Sequence, residues 1–425
     1  LQIHADAVIT ARLIPFLAGR VPLDYQVIVI GGGLAGATLA KALAQKSIST
    51  LVLERETDFK DRVRGEQVHV WGAFEARKLG IYDLIMKTCG HEVQHIARQV
   101  RNAPPPPVRN ILETSPYRLP LLNFYHPVMQ TVLLAAAEEA GATVRRGTTV
   151  AALSPGNSPS VHVRESDGRE RQYQARLIVG ADGRNSRCRR WGGFEVHRDP
   201  ECVMVAGVLL ENVGAPKDAL SIFVDPSCGR LSIMVPLGGK RFRTYVMTHK
   251  QSAADRHRFS GEADLTAFLE ASVAVGAPRA WFENVMSAGP LASFEGADTW
   301  VEHPYREGIV LIGDAAASND PSFGCGLSLS LRDVRVLSEQ LLAGNNWEIA
   351  ANAYAIEHDR YYGAIHRLTG WARTLLLDPS SEAGLLRRQA FPRFAEDPTR
   401  AVDFFGVGPE FPSDENARRR YFGEA

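Results

Sequence analysis

The stretch Val27-Ile28-Val29-Ile30-Gly31-Gly32-Gly33-Leu34-Ala35-Gly36-Ala37-Thr38-Leu39-Ala40 constrains this chain more than any other. Its apolar run, stopped by glycines, reads as a buried strand. Gly31, Gly33 and Gly36 then fit the spacing G-x-G-x-x-G, with Leu34 and Ala35 at the start of a helix. Each glycine has a task in such a loop: a tight turn, backbone approach to a pyrophosphate, and close packing of helix on strand. The helix start also turns free N–H groups and a positive dipole end toward an anion. A second apolar strand, Ser49-Thr50-Leu51-Val52-Leu53, runs into Glu54 and Arg55. Glu54 stands close to the acidic position expected about 20 residues after such a loop. Its carboxylate is suited to accept from both ribose hydroxyls of an adenosine, and it repels a 2′-phosphate. Strand, turn, helix, strand and acid together predict an α/β fold with a Rossmann-like unit and a bound dinucleotide.

Two further motifs end buried strands. Leu177-Ile178-Val179 leads into Gly180-Ala181-Asp182-Gly183, with Ser186 and Arg189 beyond. Ile309-Val310-Leu311-Ile312 leads into Gly313-Asp314, followed by Pro321 and by Gly324-Cys325-Gly326-Leu327 ahead of a helix. Each puts an aspartate beside a glycine where a strand's carboxyl end opens, the usual ligand crevice of an α/β sheet. Such an aspartate suits a ribose or ribityl hydroxyl. Bare N–H groups around Gly324 and Gly326 suit an electron-rich ring edge. One extended cofactor touching all three motifs explains their order.

This order, from roughly Asp24 to Leu342, resembles the FAD-dependent monooxygenases of the para-hydroxybenzoate hydroxylase fold, the single-component aromatic hydroxylases. The resemblance implies that Gly31, Gly33 and Gly36 hold the FAD pyrophosphate and Glu54 the adenosine ribose. It implies that Arg64, in Arg64-Gly65-Glu66, reaches the cofactor's ribose or phosphate region. Asp182 and Gly183 match a motif that touches FAD and has been linked to the nicotinamide donor. Asp314 matches the aspartate on the ribityl chain, and Pro321 with Gly324–Gly326 matches the segment lining the isoalloxazine. The sequence departs from the pattern at His126, where many members carry Arg, at Ala317, where His is frequent, and at Ser328, where Asn is frequent. The resemblance further implies NADPH or NADH as transient reductant, O₂ as co-substrate and a flavin C4a-hydroperoxide. The product is then an oxygenated apolar, aromatic or polyketide-like small molecule. A second G-x-G-x-x-G unit for a nicotinamide domain is missing from the sequence. The alternatives are an FAD-dependent reductase or dehydrogenase of an isoprenoid-like substrate, a flavin halogenase, and a non-enzymatic FAD-binding protein. A halogenase fits poorly, because none of the tryptophans sits in a W-x-W-x-I-P motif.

The expected architecture is a Rossmann-like FAD domain from residues 24–90, 123–190 and 291–345, with a mixed-sheet substrate domain inserted as 91–122 and 191–290. Residues 346–425 form a C-terminal helical segment and tail, and 1–23 an N-terminal extension without a clean secretory layout. Lys+Arg and Asp+Glu are equal at 48 each, so no bulk field recruits nucleic acid or an anionic membrane. Five cysteines without a C-x-x-C pair argue against a disulfide framework or a zinc site and suit a cytoplasmic protein, monomeric or homodimeric. No run of 18 apolar residues predicts a spanning helix.

Periodicity predicts one helix over Trp71–Met86, carrying a solvated Lys78, and another over Trp347–Leu377. Proline run 104–107 reads as edge or loop. Thr143–Arg146 and Gln172–Arg176 read as short antiparallel strands. Phe223, Met234, Tyr245 and Met247 lie on strands expected to wall the substrate pocket. His126 and His249 are weighed as bases toward a phenol against plain structural roles, and no catalytic residue is assigned. The last 45 residues or so read as loosely structured, with Arg418-Arg419-Arg420 solvated.

Overall fold

The computed structural model describes residues 23–103, 106–165, 167–252 and 258–424. The predicted N-terminal extension, save Leu23, and part of the proline run lie outside them.

The strand Tyr25–Ile30 sits inside a sheet. Thr50–Leu53 and Thr143–Arg145 follow it on one side, and Glu170–Gly180 and Ile309–Leu311 on the other, all parallel to their neighbours. Alternation along the first strand divides the core. Val27 and Val29 pack with helices Leu34–Ala44, His126–Glu139 and Gly326–Ala343. Ile28 and Ile30 face strands Thr149–Ser154 and Ser160–Arg164. Burying each such isoleucine contributes about 1.5–3 kcal/mol.

Three expectations about elements change. Thr143–Arg145 pairs parallel with Thr50–Leu53, because it is reached through a helix and not through a hairpin turn. Gln172–Arg176 and Leu177–Gly180 are one strand of 11 residues. Its first half pairs antiparallel with Ser160–Arg164, and its second half joins the parallel sheet. The predicted helix over Trp71–Met86 is two helices, Val70–Lys78 and Tyr82–Thr88. Gly80, at φ +65°, takes the left-handed conformation that ends a helix.

The second large sheet runs in the order Val203–Glu211, Arg241–His249, Arg230–Pro236, Ala219–Asp225, His95–Val100. One face packs against helix Leu265–Ala274, and the other walls a cavity. The side-chain period of two sorts the four expected pocket residues. Tyr245 and Met247 face the cavity, while Phe223 and Met234 lie in the core under the helix.

The C-terminal part corrects the reading of a loose tail. After the 30-residue helix Trp347–Leu376 come helices Ser381–Glu396 and Glu415–Phe422. The connecting segment is tied down: Arg109 forks onto the Asp403 carboxylate at 2.8 Å on both branches, and Ser115 Oγ donates to Gly406 O at 2.9 Å. Arg418 and Arg420 are paired, with Glu415 and Glu424 and with Asp397. Among the described residues no helix is long and apolar enough to cross a membrane.

The second sheet is clamped to the Asp61–Glu66 segment by Arg243, whose side chain is 0% exposed, as is that of its partner Glu66. Arg243 Nε donates to Glu66 Oε2 at 2.9 Å and Nη2 to Asp61 Oδ1 at 2.7 Å, while His126 N donates to Glu66 Oε1 at 3.0 Å. Removing one partner of a buried pair leaves an uncompensated charge. Arg243→Met is therefore expected to lower the unfolding free energy by about 3–5 kcal/mol. The measurement is the urea midpoint at unchanged slope. Adding Glu66→Gln should recover part of the loss, and an unshifted R243M midpoint would remove the clamp from the account.

Candidate functional site

A polar cleft opens at the carboxyl ends of the parallel strands. Gly31, Gly33, Glu54, Arg55, Arg64, Asp182 and Gly183 all line it. The three loop glycines differ physically. Gly31 has φ +106°, and a Cβ there would lie 2.4 Å from Ala181 O. A Cβ on Gly36 would lie 1.9 Å from Gly31 O, so only glycine lets the helix sit this close to the strand. A Cβ on Gly33 would meet only Gln130 Nε2, at 3.7 Å, and would otherwise occupy the open cleft. Leu34 and Ala35 are buried and are not among the residues that line the cleft.

Glu54 Oε2 accepts from Gly32 N at 2.7 Å and Oε1 from Glu56 N at 2.8 Å. These bonds aim the carboxylate, and its remaining lone pairs stay available for hydroxyl donors. The Arg64 guanidinium has no hydrogen-bond partner among the described residues; the carboxylates acting on its charge are Asp314 and Glu54. Burial lowers its pKa from the usual arginine value. Asp182 is more committed: it accepts from Ser186 Oγ at 2.6 Å, Arg187 N at 2.7 Å and Cys188 N at 3.2 Å, and so holds the turn that leads into the short helix Cys188–Trp191.

A second cavity adjoins the cleft, and Arg184 lines both. One wall carries Asp314, Pro321, Gly324, Gly326 and Leu327. The opposite wall is the cavity face of the second sheet. No donor reaches the Asp314 carboxylate among the described residues. The turn that presents it is held from behind, where Gly313 N donates to Asp333 Oδ2 at 2.6 Å and Tyr361 donates to Asp333 Oδ1. A Cβ on Gly326 would meet only Asp314 Oδ1, at 3.9 Å, so the start of that helix also presents bare backbone. Bare backbone at Gly33 and Gly326, the unpaired Arg64 and the undonated Asp314 carboxylate fit an extended, diphosphate-bridged dinucleotide.

Several expected side chains point elsewhere. Cys325 is buried, its sulfur 3.7 Å from Phe323 O and 4.0 Å from His69 Nδ1, and burial pushes the thiol pKa up. His126 is buried behind Gly65, and its Nδ1 donates to Gly65 O at 3.0 Å. Burial and the Arg64 charge lower its pKa to about 3. It supports the Arg64-Gly65-Glu66 segment without facing the cleft. His249 is buried beyond the cavity lining and accepts from Gln251 N at 3.3 Å. Neither histidine is placed to act on a substrate. Ser328 faces the neighbouring helix and accepts from His69 N at 3.0 Å.

Sequence reasoning missed Arg98 and the aromatic pair Phe404 and Phe405, which also line the second cavity. Strand parity was a usable signal for Arg98. The Phe-Phe pair in a polar tail was the only signal for the other two. His69 and Trp71 hold this pair: His69 Nδ1 and Trp71 Nε1 both donate to Phe404 O, at 3.1 and 3.0 Å.

The family model described as "FAD binding domain" matches residues 24–351. Rifampicin monooxygenase from Streptomyces venezuelae is 27% identical over 331 residues, covering 75% of this chain. This chain spans 64% of that relative's length. The 3-demethoxyubiquinol 3-hydroxylase of Escherichia coli is 25% identical, covering 78% of this chain and 83% of its own. The crystal structure of p-nitrophenol 4-monooxygenase from Pseudomonas putida superposes with a TM-score of 0.73 at 18% identity, covering 88% of this chain and 94% of that one, which establishes a shared fold.

Two predictions follow from the loop and the buried histidines. Gly36→Ala should abolish folded protein, whereas Gly33→Ala should fold and lose dinucleotide retention tenfold or more, read by equilibrium dialysis. Equal behaviour of the two would contradict the geometry. His126 at about 3 and His69 at about 4 have pKa values below the unfolded value near 6.5. Unfolding then takes up protons between those limits, so stability is full above pH 6.5 and falls as pH drops toward 4. Each histidine contributes a slope of about 1.4 kcal/mol per pH unit. Chemical denaturation from pH 7 to 4 should show His126→Gln with a shallower slope; an unchanged slope would contradict a neutral buried His126.

Proposed function

Because the chain belongs to the FAD-binding-domain family, we propose that it is a monooxygenase that uses FAD, NAD(P)H and O₂ to oxygenate an apolar small molecule. The observation that carries this reading is the adjoining of two cavities of opposite character. A polar dinucleotide cleft meets, at Arg184, a chamber walled mainly by Leu220, Ile222, Leu231, Ile233 and Met247. Bound FAD supplies the redox chemistry: two electrons from NAD(P)H activate O₂, one oxygen atom enters the substrate and the other leaves as water.

The residues of the chain bind, orient and exclude water. The N–H groups and dipole at the start of Leu34–Ala44, with Arg64, neutralise the diphosphate. Glu54 accepts from the adenosine ribose, and Asp314 from the ribityl chain. The start of the 18-residue helix Gly326–Ala343 offers its positive end to negative charge on the ring edge. Leu327 on the loop side and Phe404 and Phe405 from the C-terminal segment keep water from the reacting face. Neither His126 nor His249 faces the chamber, in keeping with a reaction that needs few side-chain acids or bases.

Purified protein reconstituted with FAD should show flavin absorbance. Its NAD(P)H oxidation should accelerate with an apolar substrate while oxygen from O₂ enters the product. Substrate reduction without oxygen uptake would move the reading to a reductase, and failure to retain FAD would remove it. Asp314→Ala should weaken FAD binding about tenfold, the loss of roughly one charge-assisted hydrogen bond. Phe405→Ala should raise the H₂O₂ released per NAD(P)H consumed at least threefold; unchanged coupling would contradict its place as a water barrier.

A further inference from the structure

Residues 352–425 lie beyond the match to the family model, which ends at residue 351. Part of the second cavity's wall nevertheless comes from them: Leu376, Phe404 and Phe405. The two phenylalanines sit between helices Ser381–Glu396 and Glu415–Phe422, on a segment with two short turns of 3-10 helix and otherwise no regular structure. Its ends are pinned by ion pairs. Asp397 accepts from Arg420 Nη2 at 2.7 Å, and Glu410 accepts from Arg332 Nη1 at 2.8 Å. Between these ends the Phe404 ring packs edge-on at 5.2 Å against Phe323, in the turn Pro321–Phe323 that belongs to the loop wall of the cavity.

The middle of the segment is held by separate contacts to other elements. His69 and Trp71 donate to Phe404 O, Val70 N donates to Phe405 O at 3.2 Å, and Ser115 Oγ donates to Gly406 O. The Arg109 fork closes on Asp403, and their side chains are 30% and 18% exposed. Arg109 belongs to the short edge strand Arg109–Asn110, which pairs with His95–Val100 of the cavity sheet. A Cβ on Gly406 would lie 2.6 Å from Asp403 Oδ2 and 2.7 Å from Arg109 Nη2, so bare backbone lets the fork lie over the chain. None of these bonds is part of a ladder or a helix, and water can replace each of them at a small net cost. Segments held in this way open locally more readily than the strands and helices they cover. Burial of two aromatic rings favours the closed state. The Arg109–Asp403 pair is within reach of solvent, so salt screens it, in contrast to the enclosed Arg243–Glu66 pair.

We propose that residues 403–408 form a lid over the chamber, that the Arg109–Asp403 pair is its latch, and that an apolar substrate enters when the latch opens. Closed, the lid puts Phe404 and Phe405 into the wall and shuts out water. Open, it uncovers the cavity beside the edge of the second sheet. This deepens the monooxygenase reading and rests on it for what enters, but the gating itself is tested by binding rates and amide exchange alone.

The test uses the FAD-loaded full chain and stopped-flow fluorescence with N-phenyl-1-naphthylamine, a neutral apolar probe. Asp403→Asn and Arg109→Gln should each raise the association and dissociation rate constants together, fivefold or more, and keep Kd within twofold, because a gate alters passage in both directions equally. Sodium chloride at high concentration should raise both wild-type rates and leave those of D403N unchanged. Amide exchange of the peptide spanning residues 401–408, followed by mass spectrometry, should quicken fivefold or more in both variants, while the strand Tyr25–Ile30 keeps its protection. That contrast separates an opened latch from a loosened protein. An unchanged association rate in D403N, whether or not affinity falls, overturns the proposal, and so does unchanged exchange over 401–408. Where the probe finds no site, the exchange result decides. Oxygen uptake is followed separately. Gated binding without substrate-stimulated oxygen consumption would leave the lid standing and remove the monooxygenase.

Discussion

The arrangement of both cavities depends on one buried ion pair. Arg243 and Glu66 are withdrawn from water, where each charge alone would cost several kcal/mol. They are tolerable because their geometry is over-determined. Two arginine nitrogens reach Glu66, Asp61 takes a third bond, and the backbone of His126 completes the carboxylate. This pair docks the strand Arg241–His249 on the segment that carries Arg64. Two residues along that strand, Tyr245 donates to the Arg64 carbonyl, so one strand walls the second cavity and braces the polar cleft.

The loop opposite is braced in the same manner, by carboxylates that never face the cavity. Asp333 holds the Gly313 turn. Asp320 caps the turn at Pro321–Phe323, and Arg373 from the long helix holds Asp320 at 2.8 Å. Asp199, Asp298 and His366 gather beside it with one ligand atom each within 4.8 Å. The Arg373 guanidinium already lies 3.8 Å from Asp199 and 3.7 Å from Asp298, so the acidic cluster has its cation. These contacts fix backbone positions at which glycine leaves the surface bare, the requirement for a cofactor gripped by main-chain N–H groups.

The parts misread from the sequence share a physical cause: local pattern does not report what lies across a face. Met234 and Met247 are equally apolar, and only their strand parity sends one to the core and the other to the cavity. The tail carries few periodic apolar residues, because its order comes from single contacts with distant elements, such as Arg109 on Asp403 and Trp71 on the Phe404 carbonyl. His126 sits at a sequence position suited to the cofactor, yet its ring is drawn behind Gly65 by a carbonyl that no spacing rule predicts.

What the sequence determined by itself is the set of turns. Gly31 and Gly36 can be nothing else, since a Cβ at either would overlap main-chain atoms. The apolar runs before them and before Asp182 and Asp314 had to become buried parallel strands, whose carboxyl ends open on one side. Local sterics and periodicity are sufficient for that much. Tertiary structure decided which side chains face the second cavity. Arg98, Tyr245 and Phe405 come from three distant segments, and they line one cavity only because the Arg243–Glu66 pair docks the second sheet on the Asp61–Glu66 segment and the tail folds back.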